Sequence, residues 1–248
     1  MKKILCLTLL LSLLSVGCTN YQKIDYDKYL KLENEINHNN KYYTEGLEYN
    51  NDALYETSGL DNESFIAKNN NKVKGIPNYF LEGFTFFKDK LYILTFQNNK
   101  ILVLNKDTLA IEKEEDYDRE GWGLTNDGYH LIASDGTDKI YFMNEKLETI
   151  RTINVTINHK PVNYLNELEY INDKIWANVW QRNIIYVIDP KTGYVEKEIN
   201  FNNLIQKYKV NKVKQTMNGI AVNKDKVYIT GKYWDKVFEF SLKEKNVK

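Results

Sequence analysis

Three acids and two amides stand at the same point of a recurring unit in this 248-residue chain. Glu45-Gly46-Leu47, Glu82-Gly83-Phe84 and Glu120-Gly121-Trp122 open three units, and Asn166-Glu167-Leu168 and Asn218-Gly219-Ile220 open two more. Buried polar groups are costly unless paired. Two uses therefore compete: these residues either bond backbone amides between units or furnish a polar pocket. Aromatic residues keep the same phase, with Tyr43, Phe80, Phe96, Trp122 and Trp180 just before or after the first and second strands of their units. An aromatic box holding one or two carboxylates, an amide and a lysine suits a small, partly apolar substrate that bears an amine.

Other chemistries find little support. The three histidines, His38, His130 and His159, have no metal-ligand spacing with one another. No nucleophile elbow, phosphate loop or dinucleotide fingerprint occurs. Asp135, Asp138 and Asp189 fall in turns, where aspartate serves the backbone, and read as turn formers rather than calcium ligands. Lys and Arg number 34 and Asp and Glu 34, so no basic footprint for nucleic acid is visible. The abundance of Asn and Lys reads as a compositional bias.

The elements that must position these residues are short strands. Second strands follow the openings, as in Leu91-Tyr92-Ile93-Leu94-Thr95, Lys174-Ile175-Trp176-Ala177-Asn178 and Lys226-Val227-Tyr228-Ile229-Thr230. Third strands follow polar turns, as in Ile140-Tyr141-Phe142-Met143, and fourth strands include Leu109-Ala110-Ile111 and Val195-Glu196-Lys197-Glu198-Ile199. Four short strands per unit of about 40 residues, five times over, predict an all-β chain folded as a five-bladed β-propeller with four-stranded blades. The first strands then line the axis and bring the five openings to one end of the channel. The fifth unit runs out of chain after Phe238-Glu239-Phe240, so a segment near residues 29–36 is expected to close the ring as its outer strand.

The N-terminus is a different object. Lys2 and Lys3 precede an apolar run, Ile4 to Val16, that is too short to span a bilayer. It ends in Ser15-Val16-Gly17-Cys18, which resembles a bacterial lipoprotein signal with Cys18 as the lipidated residue. The expected domains are a signal peptide at 1–17, a tether and ring-closing strand at 18–41, and the propeller at 42–248. An exported protein held at the cell envelope through its lipid follows; cleavage without lipid, giving a secreted or periplasmic soluble form, is the alternative. Cys6 leaves with the signal, so no disulfide and no cysteine metal site is expected.

The motifs taken together resemble the glutamine cyclotransferase family of the plant and bacterial type. They include Glu120-Gly121-Trp122-Gly123-Leu124-Thr125, Leu165-Asn166-Glu167-Leu168-Glu169, Asn178-Val179-Trp180, Asn218-Gly219-Ile220-Ala221 and Thr230-Gly231-Lys232 followed by Trp234. They run in order from about Tyr43 to Phe240. The resemblance implies a five-bladed propeller that cyclises the N-terminal glutamine of a peptide to pyroglutamate and releases ammonia. It makes Glu82 the general acid and base, Asn166 and Lys232 donors to the developing oxyanion, and Tyr43, Glu45, Phe80, Phe96, Trp122 and Trp180 the substrate pocket. The partners it implies are peptides or proteins with N-terminal glutamine, met by a monomer. No cofactor is required, while a structural calcium ion stays open. Departures from the family pattern are Glu45 for Gln, Phe96 for Trp and Leu81 for Gly. A second carboxylate beside Glu82 raises the pKa of one of the two, and Glu45 sharing the acid-base role stays open. A propeller lipoprotein that scaffolds envelope proteins without catalysis, and a calcium-dependent propeller hydrolase, are the competing readings.

Overall fold

Hairpins in this chain are tied by residues in the left-handed backbone region. Asn51 and Asp52, Asn69 and Asn70, and Asn172 and Asp173 each carry positive φ at both positions of a tight turn, the geometry that matches the twist of paired strands. Asn tolerates that region better than other side-chain residues. Part of the asparagine abundance thus has a structural use that composition alone does not suggest.

The computed structural model describes residues 21–209 and 215–243. The signal peptide at 1–17 and Cys18 lie outside the described residues. Five sheets of four antiparallel strands make the blades of a β-propeller. Blade 1 is Thr44–Asn50, Ala53–Ser58, Phe65–Lys68 and Asn71–Gly75. Blade 2 is Leu81–Phe87, Lys90–Thr95, Lys100–Asn105 and Ile111–Asp116. Its last strand starts after Leu109, which sits in a positive-φ turn rather than in the strand. Blade 3 is Leu124–Asn126, Leu131–Ser134, Lys139–Met143 and Thr149–Asn154. Blade 4 is Leu165–Ile171, Lys174–Val179, Ile184–Ile188 and Val195–Asn200. Blade 5 is Met217–Asn223, Lys226–Gly231 and Lys236–Leu242, with Leu30–Asn37 antiparallel to the last of these as the outer strand.

The first strands pack against one another around the axis. Second strands are buried on both faces because blades stack face to face, whereas outer strands such as Ile111–Asp116 are largely exposed. Apolar clusters fill the gaps between blades, the largest one centred on Trp176, Trp234, Phe238 and Phe240. Burial of such side chains contributes about 1.5–3 kcal/mol each and is the main stabilising term.

The segment expected to hold a tether and the ring-closing strand, 18–41, contains a second strand as well. Gln22–Asp25 runs parallel to Val195–Asn200 as a fifth strand of blade 4. Ile24, Tyr26 and Tyr29 pack on the Trp176–Trp234 cluster. Beyond them, His38 seals the junction of blades 5 and 1. One ring nitrogen lies 2.9 Å from the Glu56 carboxylate and the other 2.8 Å from the Trp234 carbonyl.

Candidate active site

Pairing register sets which residues are equivalent in the blades. Leu47, Phe84, Leu124, Leu168 and Ile220 lie opposite matching residues of their second strands. Two residues earlier stand Glu45, Glu82, Trp122, Asn166 and Asn218. In blades 1, 2, 4 and 5 this position falls inside a β-bulge, with register shifts between Thr44 and Gly46, Leu81 and Phe84, Leu165 and Leu168, and Met217 and Ile220. A bulge breaks the strict alternation of side chains and re-aims one of them. Glu45, Glu82 and Asn166 are thereby presented to a cavity at the end of the channel.

Blade 3 departs from the repeat alignment drawn from sequence. Pairing there begins at Leu124, so Trp122 and not Glu120 is in phase with Glu82. The reason lies in which glycine meets the next blade. A Cβ on Gly83 would sit 2.5 Å from the Leu124 backbone nitrogen, and one on Gly123 would sit 2.1 Å from the Asn166 carbonyl oxygen. Gly123, not Gly121, is therefore the counterpart of Gly83. Glu120 stays exposed and accepts a long hydrogen bond, 3.4 Å, from the Trp122 indole N–H.

Two further tiers surround this floor. Three residues past the paired position of each second strand come Phe96, Trp180 and Lys232, with Gly59 and Gly136 in the other two blades. Those glycines make room for neighbours: a Cβ on Gly59 would lie 2.7 Å from the Phe80 ring, and one on Gly136 2.7 Å from the Trp122 ring. Two residues before the floor stand Tyr43, Phe80, Glu120, Tyr164 and Thr216. The N–H groups of Gly59, Phe96, Trp180 and Lys232 donate to the carbonyls of Tyr43, Phe80, Tyr164 and Thr216 at 2.8–3.0 Å, which ties the upper two tiers together.

The cavity between the tiers measures about 430 Å³. Its lining contains Glu82, Asn166 and Lys232, and also Tyr43, Glu45, Phe80, Phe96, Trp122 and Trp180. Every site residue read from the sequence, apart from the lipidation site Cys18, is thus brought to one place. Tyr164 completes the lining, and sequence reasoning missed it. The signal was present, because Tyr164 precedes Asn166 by the same two residues that separate Tyr43 from Glu45 and Phe80 from Glu82. Asn218 belongs to the seam rather than the cavity: its Nδ2 donates to the Thr44 carbonyl at 3.0 Å and to Glu45 Oε2 at 3.1 Å.

Electrostatics concentrate on Glu45, Glu82 and Lys232, which are 1%, 7% and 5% exposed. Lys232 Nζ donates to Glu45 Oε1 at 2.7 Å and lies 4.2 Å from the centre of the Tyr43 ring. Burial opposes the Lys232 charge, but the carboxyls of Glu45 and Glu82 outweigh it and hold its pKa above the ordinary value. Burial raises Glu45 to about 7, Lys232 pulling the other way. Glu82 is held well above the usual carboxylate range, by burial first and then by the Glu45 charge, and it shares a hydrogen bond with Glu45. One cation thus faces two carboxyls, and contact decides the partition. Contact with Lys232 favours the pair's negative charge on Glu45 and its proton on Glu82. Asn166 presents a buried Oδ1 with no hydrogen-bond partner.

Further along the channel lies a second acidic group with a different character. Glu167 accepts from the backbone N–H groups of Leu47 and Ile220 at 3.3 and 2.9 Å. Glu169 accepts from Val222 N–H at 3.1 Å and the Thr125 hydroxyl at 3.2 Å, and Glu48 from Phe86 N–H at 3.0 Å. Burial pushes Glu48 to about 8 and the other two well up. Among the described residues no group of three or more His, Cys, Asp or Glu is arranged to hold a metal ion.

Comparisons with known proteins agree with this geometry. The family model described as glutamine cyclotransferase matches residues 5–242. A glutaminyl-peptide cyclotransferase of Arabidopsis thaliana is 33% identical over 232 residues, spanning 86% of this chain and 71% of its own. The crystal structure of Myxococcus xanthus glutaminyl cyclase superposes with a TM-score of 0.79 at 27% identity, covering 86% of this chain and 96% of that one.

Proposed function

The chain belongs to the glutamine cyclotransferase family, and from that premise we propose that it is a glutaminyl-peptide cyclotransferase in which Glu82 is the general acid and base. Convergence of Glu82, Glu45 and Asn166 with Lys232 in one aromatic-walled cavity is the observation that carries the reading. The substrate is a peptide or protein with N-terminal glutamine. Its α-amine attacks the side-chain amide carbon, forming a C–N bond and a tetrahedral adduct. Holding the two groups together supplies much of the acceleration. The Glu45–Glu82 pair holds one proton at the start. As its own proton passes to Glu45 through their shared hydrogen bond, Glu82 takes one from the attacking nitrogen, and it then gives one to the departing nitrogen. The C–N bond breaks, ammonia leaves, and the pair returns to its initial state.

Asn166 serves the reacting amide, because its free Oδ1 takes an N–H of the substrate while Nδ2 donates to the oxygen that becomes negative. Lys232 contributes through its charge and fixes Glu45 in place. Trp122, Trp180 and Phe96 exclude water, which favours cyclisation over simple hydrolysis of the amide. Incubating the purified protein with a glutamine-initiated dipeptide and measuring ammonia and pyroglutamyl product tests the reading. Turnover no faster than the spontaneous reaction would end it.

The protein is further proposed to be exported and anchored through Cys18. Only Thr19–Tyr21 separate that cysteine from the strand beginning at Gln22, so the anchor would hold the propeller close to the bilayer. Cys18→Ala should move the protein from the membrane fraction to the soluble fraction.

A further inference from the structure

We propose that Tyr164 and the exposed face of Trp180 form a subsite for the residue that follows the N-terminal glutamine, and that it favours an apolar or aromatic side chain there. The inference rests on reading the cavity as the glutamine site. If the reacting end of the peptide lies against Glu82, which is nearly buried, the rest of the peptide has to leave by the open mouth. Of the lining residues only Tyr164 and Trp180 are exposed, at 53% and 38%.

The other rim aromatics are already engaged. Tyr43 packs on Phe80 and beneath the Lys232 ammonium, and Phe80 also packs on Phe96. Tyr164 has one ring partner, Trp180, at 5.7 Å and 45°. Its backbone is unusual as well, with φ of 69°, a region costly for a bulky residue. Tyr43 and Phe80, in the equivalent places, do not share it. Two backbone bonds impose the conformation on Tyr164: its N–H donates to the Gly136 carbonyl at 2.8 Å, and its carbonyl accepts from Trp180 N–H at 2.9 Å. Strain held by surrounding bonds at the mouth of a cavity marks a position that serves the ligand rather than the fold. A side chain laid across Tyr164 and Trp180 buries aromatic surface that now faces water, whereas glycine gains nothing.

Kinetics and binding with glutaminyl-phenylalanine amide and glutaminyl-glycine amide test this. The wild type should favour the phenylalanine peptide in kcat/KM by about tenfold, the scale of one aromatic contact. Tyr164→Asn suits the left-handed backbone and should reduce that ratio to below about twofold, while Tyr164→Phe should keep it. An unchanged ratio in Tyr164→Asn, or no preference in the wild type, overturns the subsite. If neither peptide is turned over, the cyclase reading fails, and calorimetric binding of the same peptides to wild type and Tyr164→Asn decides the subsite. Tighter binding of the phenylalanine peptide that is lost in the variant sustains it; equal binding, or none, overturns it.

Discussion

Buried carboxyls sit in two places along the central channel, and their partners separate a chemical role from a structural one. Glu167 accepts from two backbone N–H groups of neighbouring blades, and Glu169 accepts from one and from the Thr125 hydroxyl, so both are tied into the architecture. Glu45 and Glu82 face a cavity, share a hydrogen bond, and answer to one lysine. The same residue type, on the first strands of different blades, is tied to backbone donors in one place and faces a cavity in the other. What differs is whether the remaining lone pairs meet backbone N–H groups or open space.

The sharpest way to break this comparison is to remove the proton from one member of each group. Glu82→Gln should lower kcat by about a thousandfold, within the usual range for lost acid-base catalysis, whereas Glu167→Gln keeps an acceptor for only one of the Leu47 and Ile220 N–H groups and should cost stability, yet leave kcat within about threefold because Glu167 does not line the cavity. Comparable losses in both would erase the distinction. Lys232→Met leaves Glu45 buried without its cation and should cost about 3 kcal/mol of stability in urea denaturation, as for other broken buried pairs. Adding Glu45→Gln should recover part of that loss, and no recovery would separate the two residues energetically.

A finer test reads the proton pair directly. Substrate must present a neutral α-amine, whose ordinary pKa is about 7.7–8.0, so kcat/KM rises through that range and falls when Glu82 loses its proton. The Glu45 charge is one of the causes that raise Glu82. Glu45→Gln should therefore move the falling limb to lower pH, and an unmoved limb would exclude Glu45 from the pair.

The smallest expected effect concerns stability. An unfolded glutamate titrates near 4.3, while folded Glu167 and Glu169 keep their protons to much higher pH. Above about pH 4.3 the folded state therefore binds more protons than the unfolded chain, and stability should fall as pH rises. Thermal midpoints should decline from pH 5 to 8, and Glu167→Gln should make the decline shallower. A parallel decline in the variant would remove Glu167 as a contributor.

Much of this site is legible in the chain. Glu45, Glu82 and Asn166 could be aligned because each precedes a strand whose partner pattern repeats. The alignment slipped at Glu120, where two glycines offered two phases and only contact with the next blade selects Gly123. Tyr164 went unread for a related reason: its type differs little from the many other tyrosines, and its importance appears only when its exposure and φ are known. Gln22–Asp25 is polar in composition, yet it pairs with the outer strand of blade 4. Its apolar neighbours Tyr26 and Tyr29 find a surface only after blades 4 and 5 have met.

By itself, then, the sequence determined the five-fold repeat, the alternation that makes the strands, and the residue types available to the site. Those follow from local rules, since side-chain period and turn chemistry act over a few residues. Only the tertiary structure decided which glutamate touches the lysine, which asparagine lines the cavity, and which tyrosine is exposed at its mouth. Each of those depends on burial and on partners far away in the chain, such as Lys232 against Glu45 and Ile220 against Glu167. Distance along the sequence carries no information about them.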